Sequence, residues 1–260
     1  VAYDVSVPTA PAFGGFLSQP AVSLTNSGFY NRVTTTPDGR TMIASSFGFA
    51  VADEGAVYNF YEIPYDSVAS GTISVAGSID GDGSGNHKLV LETASGSATI
   101  GGAIGSTHAL ESVFILDDGT TSVGGNVTVT NTFDTLGQLI LSDDVTFTAG
   151  SVVLDGGADA GDNDLTINAT SAVVLDAGTA AFSNLANLSI SGEATLNGSI
   201  QTTGNQSFGG AVSLNGQTSL VSGAGEIHLD GGVSGTSTSL TLGDGTQTGD
   251  IRAGVNFQVH

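Results

Sequence analysis

The chain contains no cysteine and no tryptophan, and only four of its 260 residues are lysine or arginine. The missing cysteine excludes disulfides, thiolate metal sites and cysteine nucleophiles. Against the four basic residues stand 25 acidic ones, which gives a formal net charge of −21. Such a charge repels phosphate backbones and anionic lipid surfaces, so we expect no nucleic-acid partner. No apolar run approaches the roughly 20 residues of a membrane helix, so we expect no membrane insertion.

Proline and tyrosine are missing from most of the chain, because all five of each lie at or before Tyr65. This sharp change of composition predicts a domain boundary near residues 66–70. We therefore expect two domains: a small N-terminal β module at 1–70, with a capping or assembly role, and a second domain at 71–260. Within the module, the Pro37-Asp38-Gly39 turn predicts a β-hairpin over Val33–Ile43, and a further strand is predicted at 55–61.

Glycine, by contrast, is abundant at 39 residues, and apolar residues alternate with polar ones between the glycines. The clearest example runs from Leu188 to Leu220, where short alternating runs are cut by glycine and asparagine. Period-two runs of this length predict short β-strands joined by tight corners. Charged helix formers are scarce while Val, Ile and Thr are frequent, so the sequence predicts an all-β protein.

A sequence repeat extends this pattern over the second domain. Leu89, Leu165 and Leu240 begin matching segments at a nearly constant spacing, and each follows a corner rich in glycine. We interpret the repeated unit as several turns of a β-solenoid, with about 20–25 residues and about 4.8 Å of length per turn. The 71–260 domain then forms about eight to ten turns. The competing architecture, a string of immunoglobulin-like sandwiches, predicts longer strands and a buried Trp or Tyr.

The segment from Gly192 to Gly235 resembles the repeats of filamentous-haemagglutinin-type bacterial surface adhesins. The shared core consists of Gly198, Ile200, Thr202, Thr203, Gly204, Gln206, Phe208, Gly210, Val212 and Leu214. The resemblance covers roughly residues 71–250 and is sharpest from 188 to 235. It implies a right-handed parallel β-helix on a cell surface or in a secreted fibre, and it implies neither an enzyme nor a particular receptor. Residues 1–70 depart from the family, since they do not look like its secretion domain.

One Asp- and Gly-rich corner carries a possible calcium site. Oxygen-bearing side chains alternate there as in the first half of an EF-hand loop, at Asp80, Asp82, Ser84 and Asn86. The glutamate that closes such a loop belongs at position 91, which is leucine, and Glu92 lies one residue beyond it. A solvated corner without metal explains the same residues, so both readings stay open.

The sequence offers no catalytic motif, and we expect no enzymatic activity. The four histidines lack ligand spacing, and no Gly-x-Ser-x-Gly elbow is present. The alternative is a carbohydrate-binding or carbohydrate-cleaving β-helix. An enzyme of that class acting on acidic polysaccharides needs cations to hold its substrate, and only Lys88 and Arg252 lie in the second domain.

The two ends of the solenoid are the predicted assembly sites, because exposed strand edges invite pairing with another chain. Alternating residues predict a strand at each end of the chain: Val1, Tyr3, Val5 and Val7 at the first, and Val255, Phe257 and Val259 at the second. We expect head-to-tail homopolymers, with the first strand donated to the next subunit. The expected protein is a secreted or cell-surface structural rod, either a self-assembling fibre subunit or a segment of an adhesin stalk. Its further partners would be surface glycans.

Overall fold

The structure, a computed structural model, describes residues 72–92, 96–116, 119–178, 180–236 and 238–254, together with the backbone of six short strands outside those ranges. Every regular element in this part of the chain is a β-strand. No helix that could span a membrane occurs among the residues it describes. The predicted all-β fold is confirmed.

The strands are numbered in chain order, and five of them precede the main body. These five are β1 (Tyr3–Asp4), β2 (Ala12–Phe13), β3 (Val33–Thr35), β4 (Thr41–Ala44) and β5 (Val57–Tyr61). The main body contains β6 (Thr72–Val75), β7 (Lys88–Glu92), β8 (Ser97–Ile100), β9 (Leu110–Ile115), β10 (Thr120–Val123), β11 (Val127–Thr135), β12 (Gln138–Leu141), β13 (Val145–Leu154), β14 (Ala158–Asp176), β15 (Phe182–Ile190), β16 (Glu193–Thr202), β17 (Gln206–Phe208), β18 (Val212–Val221), β19 (Ile227–Leu229), β20 (Val233–Gly235), β21 (Ser239–Leu242), β22 (Ile251–Ala253) and β23 (Phe257–Val259).

These strands pair in parallel along three lanes, which we call faces A, B and C in the order in which each turn visits them. Within the main body, face A starts with β6, β8 and β10. Face B includes residues 145–149 of β13 and ends with β22. Face C starts with β7 and β9. Along face A, Ile73 pairs with Ala98 of the next turn, and Thr121 pairs with Leu139, so each turn returns to the same lane. The chain therefore forms a parallel β-solenoid of about eight turns, as the sequence predicts.

The core is a continuous column of inward-facing apolar side chains. In β13, Val145 and Phe147 are buried, whereas Thr146 and Thr148 face outward. The ring of Phe147 lies 4.7 Å, centroid to centroid, from that of Phe133 in the preceding turn. Alternation within each strand thus separates the core from the surface, because successive side chains of a strand point to opposite sides.

Columns of glycine form the tightest corners. Gly204, Gly225 and Gly249 follow one another on successive turns between faces A and B. A Cβ atom added to Gly225 would overlap the carbonyl group of Gly204, and one added to Gly249 would overlap the carbonyl group of Gly225. The backbones approach so closely at this corner that a side chain would force neighbouring turns apart.

The predicted N-terminal hairpin is confirmed by antiparallel pairing of β3 with β4, in which Thr34 faces Ile43. Strands β4 and β5 also pair in parallel with β6 and β7 of the solenoid. Hydrogen bonding to faces A and C therefore begins before residue 70. The predicted boundary at 66–70 lies outside the described residues.

The sequence repeat does not correspond to a whole number of turns. Its three leading residues lie on three different faces, with Leu89 in β7 on face C, Leu165 in β14 on face B and Leu240 in β21 on face A. The same strand-and-corner pattern recurs on every face, so a match along the sequence need not bring equivalent residues into one lane.

Candidate functional site

The predicted calcium corner is held together by hydrogen bonds within the protein. Oδ1 of Asp80 accepts a bond of 2.8 Å from the backbone N–H of Thr107, in the corresponding corner of the next turn. Oδ1 of Asp82 accepts a 2.7 Å bond from the N–H of Ser84 and lies 2.8 Å from Nε2 of the buried His87. The bond from the Ser84 N–H, together with the Ser84 and His87 side chains, lowers the pKa of Asp82 to about 2. Asn86 is exposed.

The two carboxylates therefore serve different partners: Asp80 joins one turn to the next, and Asp82 caps a local turn. Among the residues that the structure describes, no three His, Cys, Asp or Glu side chains come together in a group that could hold a metal ion. Calcium at Asp80, Asp82, Ser84 and Asn86 stays a prediction, and this geometry gives it no added support.

A ladder of Asp, Asn and Glu residues, which sequence reasoning missed, joins consecutive turns where face B begins. Oδ1 of Asp144 accepts a 2.8 Å bond from the N–H of Asp164, and Nδ2 of Asn187 donates at 2.8 Å to Oδ1 of Asp164. Oδ1 of Asn187 then accepts from the N–H of Asn205, and Oδ1 of Asn205 accepts from the N–H of Glu226, both at 2.8 Å. The sequence feature that could have revealed this ladder is an Asp, Asn or Glu residue directly before each face B strand.

The face B ladder also accounts for two asparagines that stand in Asn-x-Ser patterns, the form of a glycosylation site. Asn187 and Asn205 use their side chains to join turns. A third such residue, Asn197, donates from Nδ2 to Oδ1 of Asp176 at 3.0 Å at the end of face C. Each of these asparagines is therefore part of the turn-to-turn hydrogen bonding of the solenoid.

One turn before the Asp176–Asn197 bond, the same corner has two carboxylates on neighbouring turns. Asp155 and Asp176 follow the paired residues Leu154 and Leu175, and no described side chain donates a hydrogen bond between them. Burial raises the pKa of Asp155, and the charge of Asp176 raises it further. A carboxylate whose pKa is raised by folding opposes folding while it is ionised, and this penalty disappears as the pH falls through its folded pKa.

We therefore predict that Asp155→Asn raises the melting temperature at pH 7, because the amide can donate to Asp176 as Asn197 does. The gain should shrink as the pH falls from 7 into the acid range, because the unmodified carboxyl, whose pKa is raised, becomes protonated there. Thermal unfolding over a pH series that begins at 7 and descends measures the gain, with the exposed Asp230→Asn as the matched control. An equal gain at all pH values would contradict the electrostatic explanation.

The adhesin-like residues form an internal polar corner. Gln206 is fully buried, and its Nε2 donates to the carbonyl oxygens of Val221, at 2.9 Å, and Ile200, at 3.2 Å. Thr202 Oγ1 donates to the Gly204 carbonyl at 2.6 Å. Gln247 repeats the arrangement farther along, with Nε2 2.9 Å from Ser222 Oγ. The motif therefore encodes a corner of the solenoid. Its polar residues Thr202 and Gln206 point away from solvent, whereas Thr203 is exposed.

The predicted assembly residues are only partly described. Phe257 and Val259 lie in β23, which pairs with β20 and so forms part of the last described turn. Tyr3 lies in β1, which pairs in antiparallel fashion with β2. The other four, Val1, Val5, Val7 and Val255, lie outside the described residues. Among the described strands, β1 and β23 belong to different sheets.

The core is open at the last described turn. Ile251 belongs to the inward column of face B, since it pairs with the fully buried Ile227, yet its side chain is 41% exposed. On the outside of this turn, Arg252 lies 3.3 Å from Glu226 and 3.1 Å from Asp250. Strands β21, β22 and β23 pair with earlier strands along one edge, and no described strand pairs with their other edge.

Comparison of the chain with protein-family models, with curated proteins and with solved structures finds no match.

Proposed function

We propose that this chain is a non-enzymatic structural rod of the bacterial cell surface, a fibre subunit or a segment of an adhesin stalk, that grows through its solenoid ends. The observation that carries the proposal is the exposure of Ile251, an inward-column residue, at the end of the last described turn. A second copy stacked on this end would cover the apolar side chain and pair the free strand edges.

The resemblance to filamentous-haemagglutinin-type repeats supports this proposal. Its residues Gln206 and Phe208 build the interior, and Gly204 builds a corner, so the shared motif is architectural. The carbohydrate alternative finds less support, because sugar rings stack on exposed aromatic faces. Of the five phenylalanines between residues 72 and 254, four are fully buried, Phe133, Phe147, Phe182 and Phe208, and only Phe114 faces outward.

We expect the purified chain to form fibres in electron micrographs, and Ile251→Lys to abolish them by placing a charge on the open core. Thr241→Lys is the matched control, since it adds the same charge on the outside of the same turn, where Thr241 is exposed.

Fibre growth should be stronger in about 1 M than in about 0.01 M salt. The Debye length falls from about 30 to about 3 Å between these conditions, so the added salt screens the rod's negative charge.

A chain that lacks residues 1–13 tests strand donation separately. If donation of the first strand joins the subunits, this truncated chain should stay short under conditions in which the intact chain polymerises. Identical fibres from both chains would overturn donation and leave end stacking intact. Fibres of equal length from Ile251→Lys and Thr241→Lys would overturn growth through the described end.

A further inference from the structure

Face C differs from the other two faces in what it presents to solvent. Over five successive turns the central outward column of face A carries Ser74, Thr99, Ser122, Ile140 and Asp159, of which only Ile140 is apolar. The corresponding column of face B carries Thr146, Thr166, Ser189 and Ser207. The column of face C instead carries Val90, Phe114, Asp134, Val153 and Val174, which pair in that order. We call these five residues the face C stripe.

The stripe is continued by two exposed leucines at the edge of the same face. Leu116 and Leu136 follow the paired residues Ile115 and Thr135, and their side chains are 41% and 44% exposed. They are two of the three large hydrophobic side chains that the described residues leave exposed. A contiguous apolar surface of this kind on a soluble protein marks a site of interaction.

Asp134 lies in the middle of the stripe, between Phe114 and Val153 of the neighbouring turns. Its Oδ1 atom is buried, and no described residue donates a hydrogen bond to it. Burial raises the pKa of Asp134, and the charge of Asp155 adds to this effect. A carboxylate oxygen in such surroundings is strongly stabilised by a cation brought to it from outside.

The same face supplies a cation. Lys88 lies at the edge of face C, two residues before Val90. Its side chain is 40% exposed, and its Nζ is 3.4 Å from Oε1 of Glu111. Within one chain Lys88 lies two turns and two residues away from Asp134, a separation of roughly 12 Å along the sheet. Within a single rod the two opposite charges are not paired, since Lys88 contacts Glu111 instead.

We propose that two copies of this chain pair side by side through face C, with their rods antiparallel, about a two-fold axis parallel to the strands at Phe114. This axis places Phe114 against its own copy and Asp134 opposite Val90 of the second copy. Lys88 of that copy then lies two residues to the side, within reach of the Asp134 carboxylate. Val90, Phe114 and Asp134 are buried against the second copy, and two symmetric Lys88–Asp134 pairs form, as an isologous interface requires. This lateral pairing is independent of growth through the ends.

Charge exchange tests the pairing. By sedimentation in the Ile251→Lys background, in which end growth is blocked, we expect a species of twice the 25.7 kDa chain mass. Lys88→Asp and Asp134→Lys should each raise the dimer Kd by about tenfold or more, and the double exchange should recover most of the affinity. Recovery by the double variant cannot come from a folding defect. Single exchanges that leave the Kd unchanged, or a chain that stays monomeric, would overturn the proposal.

Cross-linking tests the position of the axis, and the cysteine-free chain makes each introduced thiol unique. Leu116→Cys should give two-chain products with a bismaleimide of about 10 Å reach, because packed sheets are about that far apart. The control is Thr120→Cys, at an exposed position of β10 on face A, which should remain uncross-linked. Equal products at both positions would refute face C pairing. If fibres form but Leu116→Cys gives no two-chain product, pairing through face C is refuted while growth through the solenoid ends is not.

Discussion

Replacing Phe147 by alanine should lower the free energy of unfolding by about 3–5 kcal/mol, which is the usual loss when a buried aromatic ring is removed and a cavity remains. Phe147 is fully buried and contacts Phe133 at a ring separation of 4.7 Å, so the substitution also removes an aromatic pair. The turns above and below are fixed by parallel hydrogen bonds, and they can collapse only partly into the vacated space.

Thr148→Ala is the control, because Thr148 follows Phe147 in the same strand but faces solvent. Its effect should stay within about 0.5 kcal/mol. Urea unfolding of both variants, at a protein concentration too low for assembly, measures the difference. Similar losses from the two substitutions would contradict the assignment of inward and outward positions, since a shift by one residue exchanges the two sides of a strand.

The second large effect is expected from Gly225→Val, which should destabilise the solenoid by about 3 kcal/mol and expose its last turns to proteolysis. Any Cβ at this corner overlaps the backbone carbonyl of Gly204, which cannot move aside as the end of a flexible side chain can. The parallel pairing of β17 with β19 would have to break or separate locally.

Gly245→Val is the matched control, since a Cβ at Gly245 meets no atom within 4 Å. We expect this variant to unfold within about 0.5 kcal/mol of the unmodified chain. Urea unfolding and limited proteolysis of the two variants provide the comparison. If both glycines tolerate valine equally, the close approach of successive corners described for Gly204 and Gly225 is wrong.

Alternation predicted the strands well because it depends only on neighbouring residues. The parallel solenoid follows from it and is confirmed. The strands around Leu188 to Leu220 are also present, but β16 and β18 are longer than predicted, at ten residues each, because each continues through a corner from one face to the next. The lane of each strand was harder to predict, because the length of a turn varies: the turn from Ile73 to Ala98 is longer than the turn from Thr121 to Leu139. For this reason the matching residues Leu89 and Leu165 fall on different faces.

The hydrogen-bond ladders escaped sequence reasoning for the same physical cause. Asn187 and Asn205 are closer together in the chain than Asp164 and Asn187, although each pair joins consecutive turns, so no fixed spacing reveals the series. The Asp80 corner shows the converse difficulty. Its residue types suit a cation, but backbone and side-chain donors suit the same carboxylates, and the structure places such donors beside Asp80 and Asp82.

The variable turn length has a consequence for how this molecule can change over evolution. Extra residues enter at corners, such as the one between Ile79 and Lys88, while the paired strands keep their lanes. An insertion there adds a surface loop without altering the rise of the next turn or the contacts of the core. The scaffold can therefore acquire or lose exposed loops while its strands keep their lanes, and new recognition surfaces can arise on an unchanged axis.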